Sequence, residues 1–151
     1  MSGDSGVERS PYVTVHRSES SAPFFDATAH GELLIRECSS CGHLRAARRG
    51  TCRQCGHESF EYRPAEGTGT VISWAINPGS TKREPSTPMV FGLVELSEGP
   101  WLESLLIGIA PEDMWVGLPV AVRFVRGVEG ESFPAFGPDA AGDDRQAGDR
   151  R

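Results

Sequence analysis

The sequence has no long apolar run. Its longest runs, residues 89–94 and 105–110, are six residues each and contain glycine. A bilayer-spanning helix needs about 20 apolar residues, so we expect no transmembrane segment. The N-terminus also lacks the basic and apolar stretches of a secretory signal. We therefore predict a cytoplasmic protein, in which cysteines stay reduced and are available to a metal.

Recognisable catalytic motifs are absent as well. The sequence has no G-x-S-x-G nucleophile motif, no H-E-x-x-H zinc-protease motif and no phosphate-binding G-x-x-x-x-G-K-[ST] loop. All four cysteines belong to one repeated motif, so none remains as a nucleophile. With 151 residues, the chain is also too short for a large multidomain enzyme. We predict no catalytic residue, and a chain that is not an enzyme by itself.

Positive charge is scarce and unevenly distributed. The chain has a single lysine, Lys82, and a net charge of −6. Residues 31–63 contain six arginines and four glutamates, whereas residues 64–136 contain nine acidic and four basic side chains. The second segment is therefore acidic and should repel polyanions such as nucleic acids.

Strand-like patterns fill the second half of the chain. The 18 glycines and 11 prolines make a helical bundle improbable on composition. Alternating or short apolar stretches predict five strands, with residues 70, 72, 74 and 76 on the core face of the first. The predicted strands cover residues 70–76, 89–96, 101–109, 119–125 and 132–136. One helical turn over residues 110–115 between strands three and four is typical of a five-stranded OB-fold barrel.

The remaining boundaries follow from composition. Residues 1–23 and 137–151 are polar and lack apolar periodicity, which predicts disordered tails. A short helix is expected first, capped by Ser21 with Pro23 in its first turn and ended by Gly31; residues 24–63 are expected to hold this helix and a zinc ribbon. Residues 64–136 are expected to hold the OB-fold. Two units this small should leave apolar groups exposed as a partner surface, among them Phe24, Phe25 and the Met114–Trp115 loop.

Four cysteines form a repeated metal-binding motif. The unit C-x-x-C-G-H occurs twice, once with Cys38 and Cys41 and again with Cys52 and Cys55. Two thiolates at this spacing converge on one centre if the chain turns tightly, and the following glycine permits that turn. Four sulfurs complete a tetrahedral site, so we predict one structural zinc ion per chain with no open position for water or substrate.

Other interpretations of the motif remain open. The same four sulfurs suit a mononuclear iron centre of the rubredoxin type, and C-x-x-C pairs also occur as redox dithiols. His43 and His57 follow the two motifs and could each replace a cysteine in a Cys₃His site. With four cysteines present, we interpret both histidines as loop residues facing solvent.

The order of motifs over residues 24–136 resembles a known family. It runs from PFFDATAHGEL through IRECSSCG and TCRQCGH to EGTGTVISW, then TPMVFGLVEL, VGLPVAVRFV and PAFGP. This order is similar to that of the bacterial and archaeal zinc-ribbon/OB-fold family, a domain of unknown function that accompanies thiolase-superfamily enzymes. The resemblance implies a mainly β fold: a short N-terminal helix, a rubredoxin-like zinc ribbon and a five-stranded OB-fold barrel.

The resemblance also implies a function in lipid metabolism. Members of the family are accessory subunits that form hetero-oligomers with a thiolase, a condensing enzyme or a lipid-transfer-type aldolase of steroid side-chain degradation. Such a subunit helps to position an acyl-CoA thioester. The guanidinium groups of Arg45, Arg48 and Arg49 suit the CoA phosphates, although they could equally serve solubility or contact with a partner. The alternative function is a nucleic-acid-binding module, which the acidic barrel disfavours.

The connection between the first two barrel strands is long for a hairpin. Residues 77–88 read NPGSTKREPSTP and include Lys82 and Arg83. Because long loops in small barrels are commonly functional, we expect this connection to contact the partner or approach the CoA site.

Overall fold

The computed structural model of the chain describes residues 8–10, 14–47, 50–78, 88–127 and 129–139. These ranges contain one α-helix, α1 (Ala22–Ala29). Their strands are β1 (Glu8–Ser10), β2 (Leu34–Cys38), β3 (Leu44–Ala46), β4 (Phe60–Pro64), β5 (Thr68–Asn77), β6 (Met89–Leu96), β7 (Trp101–Leu106), β8 (Pro119–Gly127) and β9 (Ser132–Pro138). Short 3-10 turns cover Glu19–Ser21 and Pro111–Asp113, the second where a helical turn was expected.

The second half of the chain forms a closed barrel. Strands β8, β5, β6, β7 and β9 are neighbours in that order, and β9 pairs again with β8. Phe136 of β9 lies at the closure, because it is the register partner of both Leu106 in β7 and Val122 in β8. The five-stranded OB-fold expected from the sequence is thus confirmed. The bounds of β6 are those expected, and the ends that differ in the other strands do so by one to three residues.

Two glycines allow β5 to begin close to its neighbours. Gly67 has a φ of 85°, which is unfavourable for a residue with a side chain. A Cβ at Gly69 would collide with the carbonyl oxygen of Glu95 on β6. Gly67 and Gly69 are therefore needed for the path of the backbone into β5.

A β-bulge changes the faces of β5. Val71 pairs with Val94 and Ser73 pairs with Leu93, which leaves Ile72 without a partner. The extra residue places Val71 on the same face as Trp74, and Val71 is buried. Ile76 follows on that face, but it lies next to the end of β5 and is 47% exposed. Trp74 packs against the core as expected. The prediction that residues 70, 72, 74 and 76 share the core face is therefore wrong.

The ribbon and the barrel share one hydrophobic core. Strands β3, β2 and β4 form an antiparallel sheet in that order. Leu33 and Ile35 of this segment are 2% and 1% exposed, and they pack in one cluster with barrel residues. The other buried members of the cluster are Val71, Val90, Val94, Leu96, Leu106, Met114, Leu118, Val120 and Phe136.

This shared core corrects the expected partner surface. Met114 is buried, and Phe24 and Trp115 are half-buried against the same cluster. Phe25 is half-buried against a second cluster that includes Phe133. The large apolar side chains that the described part of the chain does expose are Phe60, Ile76, Phe91, Trp101 and Val116.

Part of the predicted N-terminal tail belongs to the fold. Strand β1 pairs in parallel with the end of β8, opposite Val125 to Gly127. The N–H of Glu131 donates to the carbonyl oxygen of Val15 (2.7 Å). Backbone pairing of this kind requires no apolar periodicity, which is why composition predicted disorder for residues 1–23. Strand β9 likewise extends to Pro138, beyond the predicted boundary at residue 136.

Arg17 ties this N-terminal segment to two other elements. Its Nη1 contacts the carboxylate of Asp26 in α1 at 2.6 Å, and its Nη2 contacts Glu131 before β9 at 2.7 Å. These bonds raise the pKa of Arg17 and hold the pKa of Glu131 below its ordinary value. In addition, the hydroxyl of Thr28 donates to the carbonyl oxygen of Ser132 (3.1 Å) and joins α1 to β9.

We expect the N-terminal segment to loosen in acid. Because the pKa of Glu131 is lower in the folded state, its ion pair stabilises the fold above the unfolded pKa and is lost as pH falls through the folded one. The amide protection factors of residues 14–18, each taken relative to the intrinsic exchange rate at the same pH, should be lower at about pH 3 than at about pH 6. In Arg17→Gln the protection factors of this segment should be low at both pH values. Equal exchange in wild type and variant at about pH 6 would contradict the prediction.

In the described ranges, no helix has both the length and the apolar character needed to cross a membrane.

Candidate metal centre and adjoining clefts

The two cysteine motifs fold into nearly identical turns. In the first, the N–H of Cys38 donates to the carbonyl oxygen of His43, and the N–H of Gly42 donates to that of Cys38. The second motif repeats both bonds through Cys52, His57 and Gly56. Gly42 and Gly56 have φ angles of 77° and 78°, the left-handed region that glycine tolerates best. The repeated sequence thus produces a repeated backbone.

These turns bring four sulfur atoms together. The Sγ atoms of Cys38 and Cys55 are 3.6 Å apart, as are those of Cys41 and Cys52. All four sulfurs lie within 4.8 Å of one another. Cys38 and Cys52 are buried, whereas Cys41 and Cys55 are exposed. The cluster therefore begins at the end of β2 with Cys38 and reaches the protein surface at Cys41 and Cys55.

Backbone donors prepare two of the sulfurs for metal binding. The N–H groups of Cys41 and Ser40 point at the Cys38 sulfur and lower the pKa of its thiol to about 6. The N–H groups of Cys55 and Gln54 lower the pKa of Cys52 in the same way, against the effect of burial. Thiolates are the form that binds metal, so both turns favour the binding state.

The pKa of Cys41 moves in the opposite direction. The N–H of His43 stabilises the Cys41 thiolate, but desolvation of the sulfur atom by its surroundings and the three nearby sulfurs outweigh that bond and raise the pKa to about 12. Four thiolates cannot share so small a volume without a compensating cation. A cation at the centre removes this conflict, because it attracts all four charges and releases the remaining protons.

The geometry of the cluster fits a tetrahedral ion. Zinc–sulfur bonds of about 2.3 Å in a tetrahedron place neighbouring sulfurs about 3.8 Å apart. The two 3.6 Å distances agree with this value. Histidine is not part of the cluster within the residues described, and His43 and His57 contribute backbone carbonyl oxygens instead. The donor set therefore fits a closed four-sulfur site.

Arg45 was predicted to contact CoA phosphates, and the structure places it beside an open cleft. Its Nη1 donates to the carbonyl oxygen of Thr51 (2.6 Å), so part of the guanidinium holds the loop that leads into Cys52. Arg48 and Arg49 lie outside the described residues, as do residues 79–87 of the long connection.

The cleft next to Arg45 separates the ribbon from the barrel. We call it the ribbon–barrel cleft; its volume is about 750 Å³, and its walls are residues 42–46 and Arg53 on one side and Leu93, residues 98–101 and Glu103 on the other. Trp101 in this wall is 56% exposed, and its Nε1 donates to Glu95 at 3.0 Å. Arg53 was not predicted as a site residue, although its position inside the second C-x-x-C unit was the available signal.

Comparisons with known proteins identify both parts of the chain. Residues 25–61 match the rubredoxin-like zinc ribbon domain of ChsH2, and residues 62–125 match the C-terminal OB-fold domain of ChsH2. A solved structure described as the Ltp2-ChsH2(DUF35) aldolase contains a chain 31% identical to this one. That match has a TM-score of 0.70 and covers 81% of this chain and 96% of the other.

Two curated relatives extend the comparison. A DUF35 domain-containing scaffold protein of Pyrococcus furiosus is 33% identical over 109 residues, which are 70% of this chain and 79% of that protein. A probable enoyl-CoA hydratase alpha subunit of Thermomonospora curvata is 32% identical over 115 residues, or 76% of this chain. The match covers 36% of the length of the Thermomonospora protein.

Proposed function

The chain belongs to the DUF35 family of ChsH2-type zinc-ribbon and OB-fold proteins, and from this membership we propose that it is a non-catalytic accessory subunit of a thiolase-superfamily enzyme. The likeness to the ChsH2 chain of an aldolase over 96% of that chain carries the proposal. The partner is a thiolase, a condensing enzyme or a lipid-transfer-type aldolase that shortens steroid side chains. The subunit acts inside a hetero-oligomer.

The chemistry of the metal centre supports an accessory role. Cys38, Cys41, Cys52 and Cys55 would hold one zinc ion, and four protein ligands leave no position for substrate. Such an ion would contribute folding energy. Because all four of its coordination positions would be filled by cysteine, it would not act as a Lewis acid on a substrate. The cysteines are also the obvious nucleophiles in the sequence, and the metal occupies them. The reacting groups must then come from the partner enzyme.

The ribbon–barrel cleft is the best place for the CoA part of an acyl-CoA substrate. CoA carries a pyrophosphate and a 3′-phosphate, and guanidinium groups bind phosphate through paired N–H donors. Arg45 and Arg53 line one wall of the cleft, and the exposed indole of Trp101 offers an aromatic surface on the other. The cleft volume of about 750 Å³ is within the range of ligand sites. Arg48 and Arg49 remain part of this proposal.

Reconstitution with a partner tests the accessory role. We expect the zinc-loaded chain to co-purify in one complex with a thiolase-fold enzyme encoded by the same organism. Thiolysis or retro-aldol cleavage of acyl-CoA should require both proteins, because the proposed subunit takes its reacting groups from the partner. Turnover by the chain alone would refute the proposal, as would full activity of each candidate partner without the chain.

A charge-removal variant tests the cleft separately. Arg53→Gln should raise the KM for acyl-CoA roughly fivefold in the complex and leave kcat unchanged, since an exposed ion pair contributes about 1 kcal/mol to binding. Arg53 is preferred to Arg45 for this test because Arg45 also holds Thr51. Arg126→Gln, an exposed arginine of β8 outside the cleft, is the matched control. Equal KM values for both variants would exclude Arg53 from CoA binding.

The nucleic-acid alternative is tested with the same preparation. Filter binding to single-stranded DNA at low salt should show no retention, because an acidic barrel lacks the basic groove such proteins use. Retention that falls with increasing salt would support the alternative instead.

A further inference from the structure

A second cavity is lined by residues of α1 and of the ribbon. We call it the Arg36 cavity; it has a volume of about 830 Å³ and is lined by residues of the segment 18–25, by Arg36, by residues 47, 50 and 51, and by residues 58, 60 and 62. Aromatic pairs form two of its walls. Phe24 and Phe25 stack edge to face at 5.3 Å, and Phe60 and Tyr62 do so at 5.2 Å.

Arg36 is a buried charge in this cavity. Its residue is 4% exposed, although arginine is almost never buried without a charged partner. Its guanidinium carbon lies 3.6 Å from the centre of the Phe60 ring, and its Nη2 donates to the carbonyl oxygen of Gly50 (3.0 Å). These contacts hold the planar group in one orientation.

Among the residues that the structure describes, the guanidinium has no anionic partner. Its Nε is buried and has no hydrogen-bond acceptor, and the ion pairs of the described residues do not include Arg36. A buried, unpaired donor of a charged group costs free energy that an acceptor would recover. The Nε edge of an arginine pairs with a carboxylate or phosphate through parallel hydrogen bonds. The bond to Gly50 uses Nη2 and leaves the Nε donor free.

We propose that the Arg36 cavity binds a small molecule in which a carboxylate or phosphate is attached to an apolar, aromatic body. The oxyanion pairs with Arg36, and the body lies between the aromatic pairs of α1 and β4. This site shares no lining residue with the ribbon–barrel cleft and needs no partner enzyme. Ligand binding to the Arg36 cavity can therefore be confirmed or refuted independently of the accessory role.

Titration of the zinc-loaded full chain tests the site. The probes are benzoate, phenyl phosphate and the uncharged benzamide, which share one ring, and the readout is the Arg36 Nε–H resonance in nitrogen–proton NMR spectra. We expect a saturable shift of that resonance with benzoate or phenyl phosphate and none with benzamide. The comparison of the two anions identifies the preferred oxyanion. No saturable shift with either anion, or the same shift with benzamide, would overturn the proposal.

Three variants locate the binding, with ring and amide resonances near Phe60 as the readout. Arg36→Lys keeps the charge but removes the fork of donors, so the affinity for the anion should fall roughly tenfold. Arg63→Lys, an exposed arginine of the same sheet, is the matched control and should bind like wild type. Ala47→Leu puts a larger apolar side chain into the wall of the cavity without changing Arg36, so it tests the site even if Arg36→Lys fails to fold. Unchanged anion affinity in Ala47→Leu with full zinc content would contradict the proposed site.

Discussion

Replacing Cys38 by serine is expected to abolish metal binding and unfold the ribbon. Cys38 is the last residue of β2, is 6% exposed, and has its sulfur 3.6 Å from that of Cys55. A serine hydroxyl does not ionise to replace a thiolate, and structural zinc contributes on the order of 10 kcal/mol of folding free energy in small sites. The loss should extend into the barrel, because Leu33 and Ile35 belong to the common core.

Elemental analysis and thermal unfolding measure this effect. Wild type should contain one zinc per chain, and Cys38→Ser should contain none and melt at a lower temperature. His43→Ala is the control: His43 contributes its backbone carbonyl to the turn, so the variant should keep the metal. Metal loss in His43→Ala would instead indicate a Cys₃His site. Iron in the wild-type protein, or a well-folded chain without metal, would contradict structural zinc.

Replacing Phe136 by alanine is expected to destabilise the barrel by about 4 kcal/mol, since large-to-small changes of buried phenylalanine typically cost about 3–5 kcal/mol. Phe136 is fully buried and stands where β9 meets both β7 and β8. Its backbone carbonyl also accepts the N–H of Ile107 at 2.8 Å. Domains of this size have a total stability of only about 5–15 kcal/mol, so a large part would be lost.

Chemical denaturation of the zinc-loaded protein measures this loss. Phe91→Ala is the matched control, because Phe91 belongs to the same barrel but is 41% exposed on its outer face. The control should lose about 1 kcal/mol or less. If the two variants lost similar free energies of unfolding, the prediction that Phe136 at the barrel closure is a main contributor to stability would be wrong.

Local patterns were sufficient to predict most secondary structure. The five barrel strands and α1 follow from short apolar stretches, turn residues and a proline in the first helical turn. Strands β3 and β4 were not predicted, since three to five residues carry too little periodicity to identify a strand. Strand β1 was not predicted for a different reason. It is held by backbone hydrogen bonds to β8, and such bonds leave no pattern in the side chains.

The bulge at Ile72 shows how one extra residue can make a prediction from alternating residues wrong. Residues 70–76 alternate cleanly in sequence, and a regular strand would place Ile72, Trp74 and Ile76 together. The unpaired Ile72 shifts the register, so Val71 and Trp74 both pack against the core. Ile76 is exposed for another reason, because it lies next to the end of β5. The pairing with β6 determines that register, and no property of the strand taken alone reveals it.

The amino-acid sequence by itself determined the four-sulfur cluster, because each C-x-x-C-G-H unit is a local turn whose hydrogen bonds and glycine conformation involve six adjacent residues. Only the tertiary structure decided the surroundings of the arginines. Arg36 is buried under Phe60, which is 24 residues away along the chain, and Arg45 faces a cleft whose far wall is Trp101. Contacts between distant segments depend on how the sheets pack against each other. A short stretch of sequence therefore does not reveal them. The common core of Leu33, Ile35 and the barrel arises in the same way.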